Sequence, residues 1–363
     1  MDIAAPGSQR PNLFGLERAA LAAVTQELGE PGFRARQLYA WLYRERTRSY
    51  AAMTNLRKGL RERLAGSFAL EWPELAERQL SYDGTRKYLF RLPDEAAIES
   101  VYIPEEKRRT ICISTQAGCP LRCAFCLTGI AGYKRNLQPW EILGQVAAVM
   151  EDAPRRDGMP WNVVIMGMGE PLLNYENTVR ALRVLMDPEG FAVVPKRLTL
   201  STVGILPALE KLMQEPVRPN LAISLHASNQ ALRRELMPIE EKYPLRDVIA
   251  AAQRYEVPKG GRVTYEYVLL KGVNDTMQHA RQLVRLLAQS RAKVNLIPLN
   301  PAPEIPFEAP TRAAVDAFCR VLADAEMTVS VRKPRGQDIL AACGQLHLKQ
   351  EPAGAVREAA PAS

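Results

Sequence analysis

The chain has 363 residues, a net charge of +8, and 47% hydrophobic and 24% charged residues. This length predicts two or three domains, or one large α/β barrel with an appendage, because domains typically hold about 100–200 residues. The hydrophobic fraction excludes a wholly disordered chain. No stretch approaches the roughly 20 apolar residues of a membrane-spanning helix, and the first ten residues contain no apolar signal segment. We therefore expect a cytoplasmic protein without membrane contact.

The N-terminal region combines helical periodicity with most of the positive charge. Residues 33–63 contain nine lysines and arginines against two glutamates. Leu38, Trp41 and Leu42 are spaced as on one helix face, and Leu56, Leu60 and Leu64 repeat every fourth residue. Basic residues interleaved with aromatic ones fit a nucleic-acid contact; the aromatic residues are Tyr39, Trp41, Tyr43 and Tyr50. A solvated helix face is the alternative, and charge alone does not choose between the two.

Residues 86–103 alternate between apolar and polar positions. Tyr88, Phe90 and Leu92 share one face, and residues 93–95, Pro-Asp-Glu, turn the chain into a second strand at 98–103. Alternation with a short turn predicts a β-hairpin. We assign residues 81–104 to a hairpin that connects the basic helical region to the rest of the chain.

The remainder of the chain repeats a strand followed by a helix. Such repetition predicts a parallel sheet with right-handed crossovers, and six or seven units favour a complete or partial barrel over an open sheet. One face of these strands carries polar residues such as Ser114, Thr199 and Ser201, which indicates a lumen that binds a polar ligand. The predicted strands are 110–114, 162–166, 197–201, 221–225, 263–269, 293–298 and 328–332, and two of the predicted helices are 139–150 and 311–325.

Three of the six cysteines form a CxxxCxxC loop directly after the first of these strands, at Cys119, Cys123 and Cys126. Six cysteines are too sparse for a disulfide scaffold in a chain of this length. A structural zinc ion takes four ligands, and the spacing supplies three. Three thiolates suit a [4Fe–4S] cluster whose fourth iron is free of protein. The residues alone favour the cluster, with zinc and plain core cysteines as alternatives.

The loop resembles the cysteine motif of the radical S-adenosylmethionine (SAM) superfamily. The next predicted strand ends in Gly-Met-Gly-Glu-Pro at 167–171, similar to the Gly-Glu-Pro element of that superfamily. The resemblance implies that the amino and carboxylate groups of SAM bind the free iron. Electron transfer then yields a 5′-deoxyadenosyl radical, and the acid of the Gly-Glu-Pro element faces the SAM ammonium group.

Further motifs resemble the narrower RlmN/Cfr family of radical-SAM adenine methyltransferases of 23S ribosomal RNA, over residues 15–348. The resemblance implies an α/β fold: a partial (β/α)6 radical-SAM barrel with a small N-terminal helical RNA-binding domain. We place that domain at 1–80, the hairpin connector at 81–104, the barrel at 105–348 and a flexible tail at 349–363. The motifs are ESVYIP (99–104), TICISTQAGCPLRCAFC (110–126), YKRNL (133–137), GMGEPLLN (167–174), LSTVG (200–204), LAISLHA (221–227), VNLIPLNP (294–301) and RKPRGQDILAACGQL (332–346).

The family resemblance implies a methyl carrier at Cys343. One SAM methylates this cysteine, and a second SAM on the cluster generates the radical that activates the methyl group for attack on the base. Cys112 matches the cysteine that resolves the RNA–protein adduct by forming a disulfide with Cys343, and Glu99 matches the proton acceptor. Considered singly, the two cysteines fit ordinary core positions, and Glu99 fits a solvent-facing strand residue.

The same resemblance implies a set of SAM contacts on the strand ends. One position departs from the family, which usually has RGDD where this chain has Arg335-Gly336-Gln337-Asp338. The basic residues 107–109, Arg332, Lys333 and Arg335 could neutralise RNA phosphates or be solvated. The implied SAM contacts are Gly169, Glu170, Ser201, Ser224, Leu225, His226 and Asn300.

The expected activity is methylation of carbon-2 of an adenosine in the peptidyl-transferase region of 23S rRNA, and of an adenosine beside the anticodon in some tRNAs. Methylation at carbon-8 by a Cfr-type enzyme is the alternative, since both reactions use the same cysteines. A non-catalytic RNA-binding protein with a structural metal is a third hypothesis, and it predicts a colourless, air-stable protein. Expected partners are protein-free or assembling 23S rRNA, tRNA and an electron donor such as flavodoxin, and a monomer is expected.

Overall fold

The computed structural model describes residues 10–154, 158–258, 261–346 and 357–358. The predicted tail at 349–363 lies outside the described residues, apart from the two-residue strand β13 (Arg357–Glu358). Within the described residues, a small helical region precedes one eleven-stranded sheet. No described helix combines the length and the apolar character needed to cross a bilayer.

The N-terminal region consists of helices α1 (Arg18–Glu27), α2 (Phe33–Tyr43) and α3 (Lys58–Ser67), which confirms the predicted helical module. The predicted apolar series Leu38, Leu42, Leu60 and Leu64 is buried. Tyr39 and Tyr43 are also buried, with 2% and 0% exposure, so the prediction that they contribute to a nucleic-acid surface is wrong. They lie on the same helix face as the leucines, so their rings pack in the core and cannot stack on RNA bases.

Contacts of opposite charge fasten this helical region to the rest of the molecule. Asp187, which follows a helix of the barrel, binds the Arg18 guanidinium and accepts a hydrogen bond of 2.9 Å from the Tyr39 hydroxyl. The Arg48 guanidinium lies over the Trp72 ring at 4.3 Å and pairs with Glu151 at 2.6 Å. The basic helices are therefore held against the barrel at two separate points.

Three antiparallel strands connect the helices to the barrel: β1 (Glu74–Leu80), β2 (Arg86–Arg91) and β3 (Ala97–Pro104). The second and third form the predicted hairpin. Strand β1 was not predicted, and it lies within residues 1–80, which the sequence analysis described as helical. Strand β3 pairs antiparallel with the first barrel strand, with Val101 opposite Cys112. Hairpin and barrel therefore share one continuous sheet.

The barrel is built from parallel strands, in agreement with the predicted fold. The described sheet runs in the order β12-β11-β10-β9-β8-β7-β4-β3-β2-β1-β13, and no pairing between β4 and β12 closes it, so the barrel is partial. A seventh parallel strand, β12, follows the six of the predicted barrel. The parallel strands are β4 (Arg109–Ile113), β7 (Trp161–Ile165), β8 (Leu198–Thr202), β9 (Asn220–Ser224), β10 (Val263–Leu269), β11 (Ala292–Pro298) and β12 (Thr328–Val331).

Helices cover the outer face of this sheet. The first long one begins as predicted, with Pro139 in its first turn and reciprocal capping between Gln138 and Glu141. Two short strands, β5 (Gln116–Gly118) and β6 (Tyr133–Asn136), form a separate pair beside the cysteine loop. The helices are α4 (Leu127–Ala131), α5 (Pro139–Asp152), α6 (Tyr175–Met186), α7 (Leu206–Met213), α8 (Gln230–Leu236), α9 (Leu245–Arg254), α10 (Met277–Leu287) and α11 (Arg312–Asp324).

Candidate active site

The three clustered cysteines lie in the loop between β5 and α4. Backbone hydrogen bonds hold this loop at both ends: the Cys119 N–H donates to the Gly132 carbonyl at 2.8 Å, and the Leu127 N–H donates to the Gly344 carbonyl at 2.8 Å. The thiol of Cys123 interacts electrostatically with those of Cys119 and Cys126. The loop therefore brings the three predicted ligands to one place.

Burial disfavours the thiolate form of Cys119 and Cys123 unless a cation is bound beside them. Burial raises the pKa of Cys119 to about 12 and the pKa of Cys123 well above its usual value. Among the described residues, no three His, Cys, Asp or Glu side chains converge closely enough to hold one metal ion. A structural zinc ion takes four ligands, and the loop supplies three. Thiolates of a [4Fe–4S] cluster each bind a different iron, so their donor set fits the loop.

Two glycines shape the turn after β7. A Cβ atom on Gly167 would lie 2.6 Å from the Ser114 Oγ, and one on Gly169 would lie 2.5 Å from the Gln116 Cβ. Gly169 also has a φ of +98°, which side chains rarely adopt. The Met168 N–H donates to the Ser114 Oγ at 2.8 Å. The Gly-Met-Gly-Glu-Pro turn therefore packs against the end of β4 and the start of β5, shortly before the cysteine loop.

Glu170 projects from this turn into the protein. Its carboxylate accepts hydrogen bonds from the Thr202 hydroxyl at 2.7 Å, the Val203 N–H at 2.9 Å and the Leu172 N–H at 3.0 Å. Burial raises its pKa to about 7, against the effect of these hydrogen bonds. A carboxylate offers about four acceptor sites, so Glu170 has capacity for one further donor.

Two predicted SAM residues meet across neighbouring strands. The hydroxyl groups of Ser201 on β8 and Ser224 on β9 are 3.3 Å apart. Leu225 follows Ser224, but its side chain is fully buried in the apolar core. Its N–H is bound to the Glu266 carbonyl at 3.0 Å, so the Leu225 carbonyl oxygen is the group of this residue that could contact a ligand.

His226 is held as a neutral imidazole. Its Nδ1 accepts a hydrogen bond of 3.0 Å from the Val268 N–H, so the ring proton is on Nε2. Burial lowers its pKa to about 3, and the nearby Arg233 guanidinium acts in the same direction. The residue has a φ of +58°, and the ring packs edge-on against Phe125 at 4.8 Å. His226 therefore presents a fixed N–H donor.

Asn300 connects the barrel to the segment that contains Cys343. Its Nδ2 donates to the Cys343 carbonyl at 3.3 Å, and its Oδ1 accepts from the Gln337 Nε2 at 3.2 Å. Gln337 is the residue that departs from the family pattern, and its amide donates a hydrogen bond that an ionised aspartate could not.

Cys343 and Cys112 are brought together as the sequence analysis expected. Their thiols interact electrostatically, and the Arg332 guanidinium interacts with both. Burial raises the pKa of Cys112 to about 12 and the pKa of Cys343 above its usual value, while Arg332 opposes both shifts. All six cysteines are free thiols, so no disulfide joins this pair in the structure.

Glu99 is buried on β3, which excludes the alternative that it is a solvent-facing strand residue. Its carboxylate pairs with the Lys87 ammonium group at 3.1 Å, and its N–H lies 3.3 Å from the Met168 sulfur. Because Val101 lies opposite Cys112 and strand residues alternate in direction, Glu99 is on the same face of the sheet as Cys112. Lys87 was not singled out by the sequence analysis.

Comparison with known proteins agrees with this geometry. Residues 113–286 match the Radical SAM superfamily, and residues 11–70 match the N-terminal domain of the ribosomal RNA large subunit methyltransferases. The chain is 46% identical to the dual-specificity RNA methyltransferase RlmN of Gluconobacter oxydans, covering 94% of this chain and 86% of that protein. It is 47% identical to the probable RlmN of Gemmatimonas aurantiaca, covering 94% of each.

The chain belongs to the RlmN family of radical-SAM RNA methyltransferases. A crystal structure of a radical SAM methyltransferase from Sphaerobacter thermophilus has the same fold, with a TM-score of 0.87 and 43% identity over 92% of this chain and 98% of that one. The predicted family and fold are therefore confirmed. Membership of this family implies a 4Fe–4S cluster and SAM.

A cavity of about 540 Å³ occupies the lumen of this RlmN-family barrel. Polar side chains of successive strands line it, which confirms the predicted polar lumen. Positive charge lies along its walls and rim, at Arg108, Lys196, Arg197, Lys293 and Arg335. The sequence analysis missed Glu266 and Asn295, although a glutamate within the apolar strand β10 is a detectable signal. Other lining residues are Thr110, Asn162, Val164, Met166, Thr199, Thr264, Ser330, Arg332 and Cys343.

The segment before Cys343 is attached to the turn between β1 and β2. The Ser81 hydroxyl donates to the Asp338 carboxylate at 2.6 Å, and the Gly336 N–H donates to Asp83 at 3.1 Å. Hydrogen bonds to Asp83 lower its pKa, although burial acts in the opposite direction. In this RlmN-family protein, the turn between β1 and β2 therefore positions the segment that contains the predicted methyl carrier.

Proposed function

We propose that this enzyme methylates carbon-2 of adenosine in 23S rRNA and in certain tRNAs, through a methyl group carried on Cys343. The observation that supports this proposal best is the pairing of Cys112 and Cys343 beside Arg332, at a lumen cavity wide enough for a nucleobase. The dual-specificity names of the relatives favour carbon-2 in both RNA classes over the carbon-8 alternative.

Cys119, Cys123 and Cys126 would hold the [4Fe–4S] cluster, with SAM beside Glu170, Ser201, Ser224, Leu225, His226 and Asn300, and Gly169 leaving room for it. Cluster and SAM together would supply a 5′-deoxyadenosyl radical when bound. Within the chain, Glu170 has an acceptor site for the SAM ammonium group, and His226 offers its Nε2–H as a donor. The glycines at 167 and 169 keep side chains out of this space.

The cysteines divide the covalent steps between them. The Cys343 thiolate attacks the SAM methyl group, so that a sulfur–carbon bond forms and S-adenosylhomocysteine leaves. Arg332 favours this thiolate because its guanidinium opposes the effect of burial on the pKa. After one hydrogen atom is removed as 5′-deoxyadenosine, the methylene carbon bonds to carbon-2 of the base; the adduct would give up one electron, which the cluster would accept, and the carbon-2 proton, which a base would accept. Cys112 then attacks the Cys343 sulfur, which forms a disulfide and breaks the bond to carbon. The released methylene carbon takes up a proton to become the methyl group, and an external reductant returns the disulfide to two thiols.

Glu99 is placed to accept a proton on the face of the sheet that contains Cys112. Its carboxylate lies 3.1 Å from the Lys87 ammonium group. Both side chains are almost completely buried, so water does not screen the interaction strongly. We infer that the Lys87 ammonium group holds the Glu99 carboxylate in position.

The basic helices and the cavity rim supply the RNA-binding surface of this proposal. In the N-terminal region, the buried Glu30 carboxylate contacts Arg34, Arg57 and Arg63, so one negative charge faces three positive ones. The surplus suits phosphate groups. The target base must leave its stack to enter the lumen, which favours protein-free or assembling RNA over a closed duplex. We also propose that the protein is a cytoplasmic monomer and that a flavodoxin-like donor reduces its cluster.

Anaerobic turnover with methyl-deuterated SAM tests this proposal. Protein-free 23S rRNA is digested after the reaction, and nucleosides are compared with 2- and 8-methyladenosine by mass spectrometry. We expect 2-methyladenosine that retains two of the three deuterium atoms, because one is removed from the Cys343 methyl group. A product with all three deuterium atoms contradicts the Cys343 route, and 8-methyladenosine contradicts the assignment to carbon-2.

A further inference from the structure

Glu266 is a buried carboxyl group that the proposed chemistry does not use. It lies on β10 between Tyr265 and Tyr267, with 5% of its surface exposed. Burying an ionisable group costs folding free energy unless charges or hydrogen bonds compensate for it, and the groups that interact with Glu266 are Arg332, Asn295 and Lys293. Its carboxyl group lines the lumen cavity together with Cys343.

Hydrogen bonds fix the orientation of this carboxyl group. The Ser330 hydroxyl donates to the Asn295 Oδ1 at 3.1 Å, so the Asn295 amide must present its Nδ2 on the other side. Asn295 Nδ2 donates to the Glu266 Oε2 at 2.7 Å. No donor among the described residues binds the Glu266 Oε1. Ser330 and Asn295 therefore hold Glu266 with one occupied oxygen and one acceptor that remains available.

The cavity extends beyond the predicted SAM site. Of the seven predicted SAM residues, all within the described part of the chain, Asn300 lines the cavity and the other six do not. Cys343 lines it as well. A methyl carrier must meet SAM in one step and the RNA base in another, so the space that adjoins Cys343 outside the SAM site is the place for the base.

We propose that Glu266 determines substrate specificity by accepting a hydrogen bond from the exocyclic amino group of the target adenine. This proposal rests on the proposed function. Carboxylate oxygens accept well from the amino groups of bases. A base with an oxo group at that position would place two acceptors against each other, which disfavours binding. SAM also contains an adenine, so the test must separate the two sources of this amino group.

The Glu266→Gln variant is nearly isosteric and tests the proposal sharply. Asn295 donates to one oxygen, so the glutamine must turn its own oxygen towards Asn295 and its NH₂ group towards the cavity. The variant therefore presents an NH₂ donor to the adenine amino group where the wild type presents a carboxylate oxygen. The double variant Glu266→Gln/Asn295→Asp reverses this: the introduced aspartate accepts from the glutamine NH₂, and the glutamine oxygen again faces the cavity.

Each protein is assayed with RNA that contains either adenosine or purine riboside, which lacks the amino group, at the target position. Single-turnover kcat/KM for RNA methylation is the main measurement. We expect Glu266→Gln to lower the value for adenosine about tenfold or more and to leave purine riboside nearly unchanged. The double variant should regain most of the loss. Glu308→Gln, on the surface away from the cavity lining and paired with Lys271, is the matched control and should retain wild-type selectivity.

Other results overturn the proposal. An equal loss on both RNAs, or no recovery in the double variant, would mean that Glu266 only supports the fold. Methylation of Cys343 by SAM alone, measured without RNA as S-adenosylhomocysteine, separates the two adenines: a higher KM for SAM in Glu266→Gln would assign the residue to SAM. Failure of the proposed function is distinguishable, because the wild-type protein would then methylate neither RNA.

Discussion

The two sides of Cys343 are built in different ways. The predicted SAM side consists of turns that follow strand ends, where Gly169 and His226 have positive φ angles and backbone hydrogen bonds fix Glu170. The lumen side consists of strand side chains, such as Glu266 and Asn295, on a regular sheet. Turns with steric requirements leave recognisable sequence motifs, whereas side chains on a regular sheet carry no such local pattern. We therefore expect the radical-SAM chemistry on the first side, and the proposed substrate choice on the second.

The cysteines between the two sides carry the largest expected effects. Cys343→Ala should lower RNA methylation more than about a thousandfold, as removal of a covalent nucleophile does in other enzymes, while some SAM cleavage remains. Cys112→Ala should instead accumulate an RNA–protein crosslink, because the adduct forms but is not released. Denaturing gels and nucleoside mass spectrometry measure both outcomes.

Cys319→Ala is the matched control for this pair, since Cys319 is a half-buried cysteine on α11. It should methylate RNA at the wild-type rate. Methylation by Cys343→Ala would remove that residue as the carrier, and a Cys112→Ala protein that turns over without crosslinks would remove the proposed release step.

A methyl group at Gly169 should disrupt the SAM side and leave the lumen intact. Gly169→Ala forces a Cβ to within 2.5 Å of Gln116 at a positive φ, which we expect to cost about 1–3 kcal/mol in unfolding free energy and to weaken SAM binding at least tenfold, roughly, by displacing Glu170. Gly272→Ala also has a positive φ but no neighbour within 4 Å. It should bind SAM like the wild type; equal losses in the two variants would contradict the steric explanation.

The smallest expected effect concerns pH. The pKa of His226 is about 3 in the folded protein against 6.5 for the ordinary side chain. Its contribution to stability is therefore present above pH 6.5 and is lost as the pH falls, because the unfolded state takes up the proton first. Between pH 7.5 and 5.5 the wild type should lose about 1.4 kcal/mol more than His226→Gln. Parallel anaerobic unfolding measures this difference, and identical pH dependence of the two proteins would show that folding does not lower the pKa of His226.

The same division explains what the sequence could predict. Strand β10 was predicted with its observed bounds, and the other barrel strands within about two residues, because apolar runs between helices define parallel strands clearly. The family motifs supplied the cysteines, Glu99 and the SAM residues. The unexpected strand β1 has mixed polarity and half-buried residues, so alternation does not identify it. Asn295 and Ser330 matter through side-chain contacts across strands, which no local pattern contains.

The pairing of β3 with β4 makes the hairpin and the barrel one sheet, and Asp187 ties the basic helices to the same body. The arginine-rich helices and Cys343 are therefore held at a fixed distance from each other. If the basic helices bind RNA as proposed, we expect this fixed distance to select RNA whose bound phosphates and exposed adenosine are separated by the same span, with less dependence on the surrounding nucleotide sequence. Two RNAs of unrelated sequence can satisfy one enzyme if their folds present the same span.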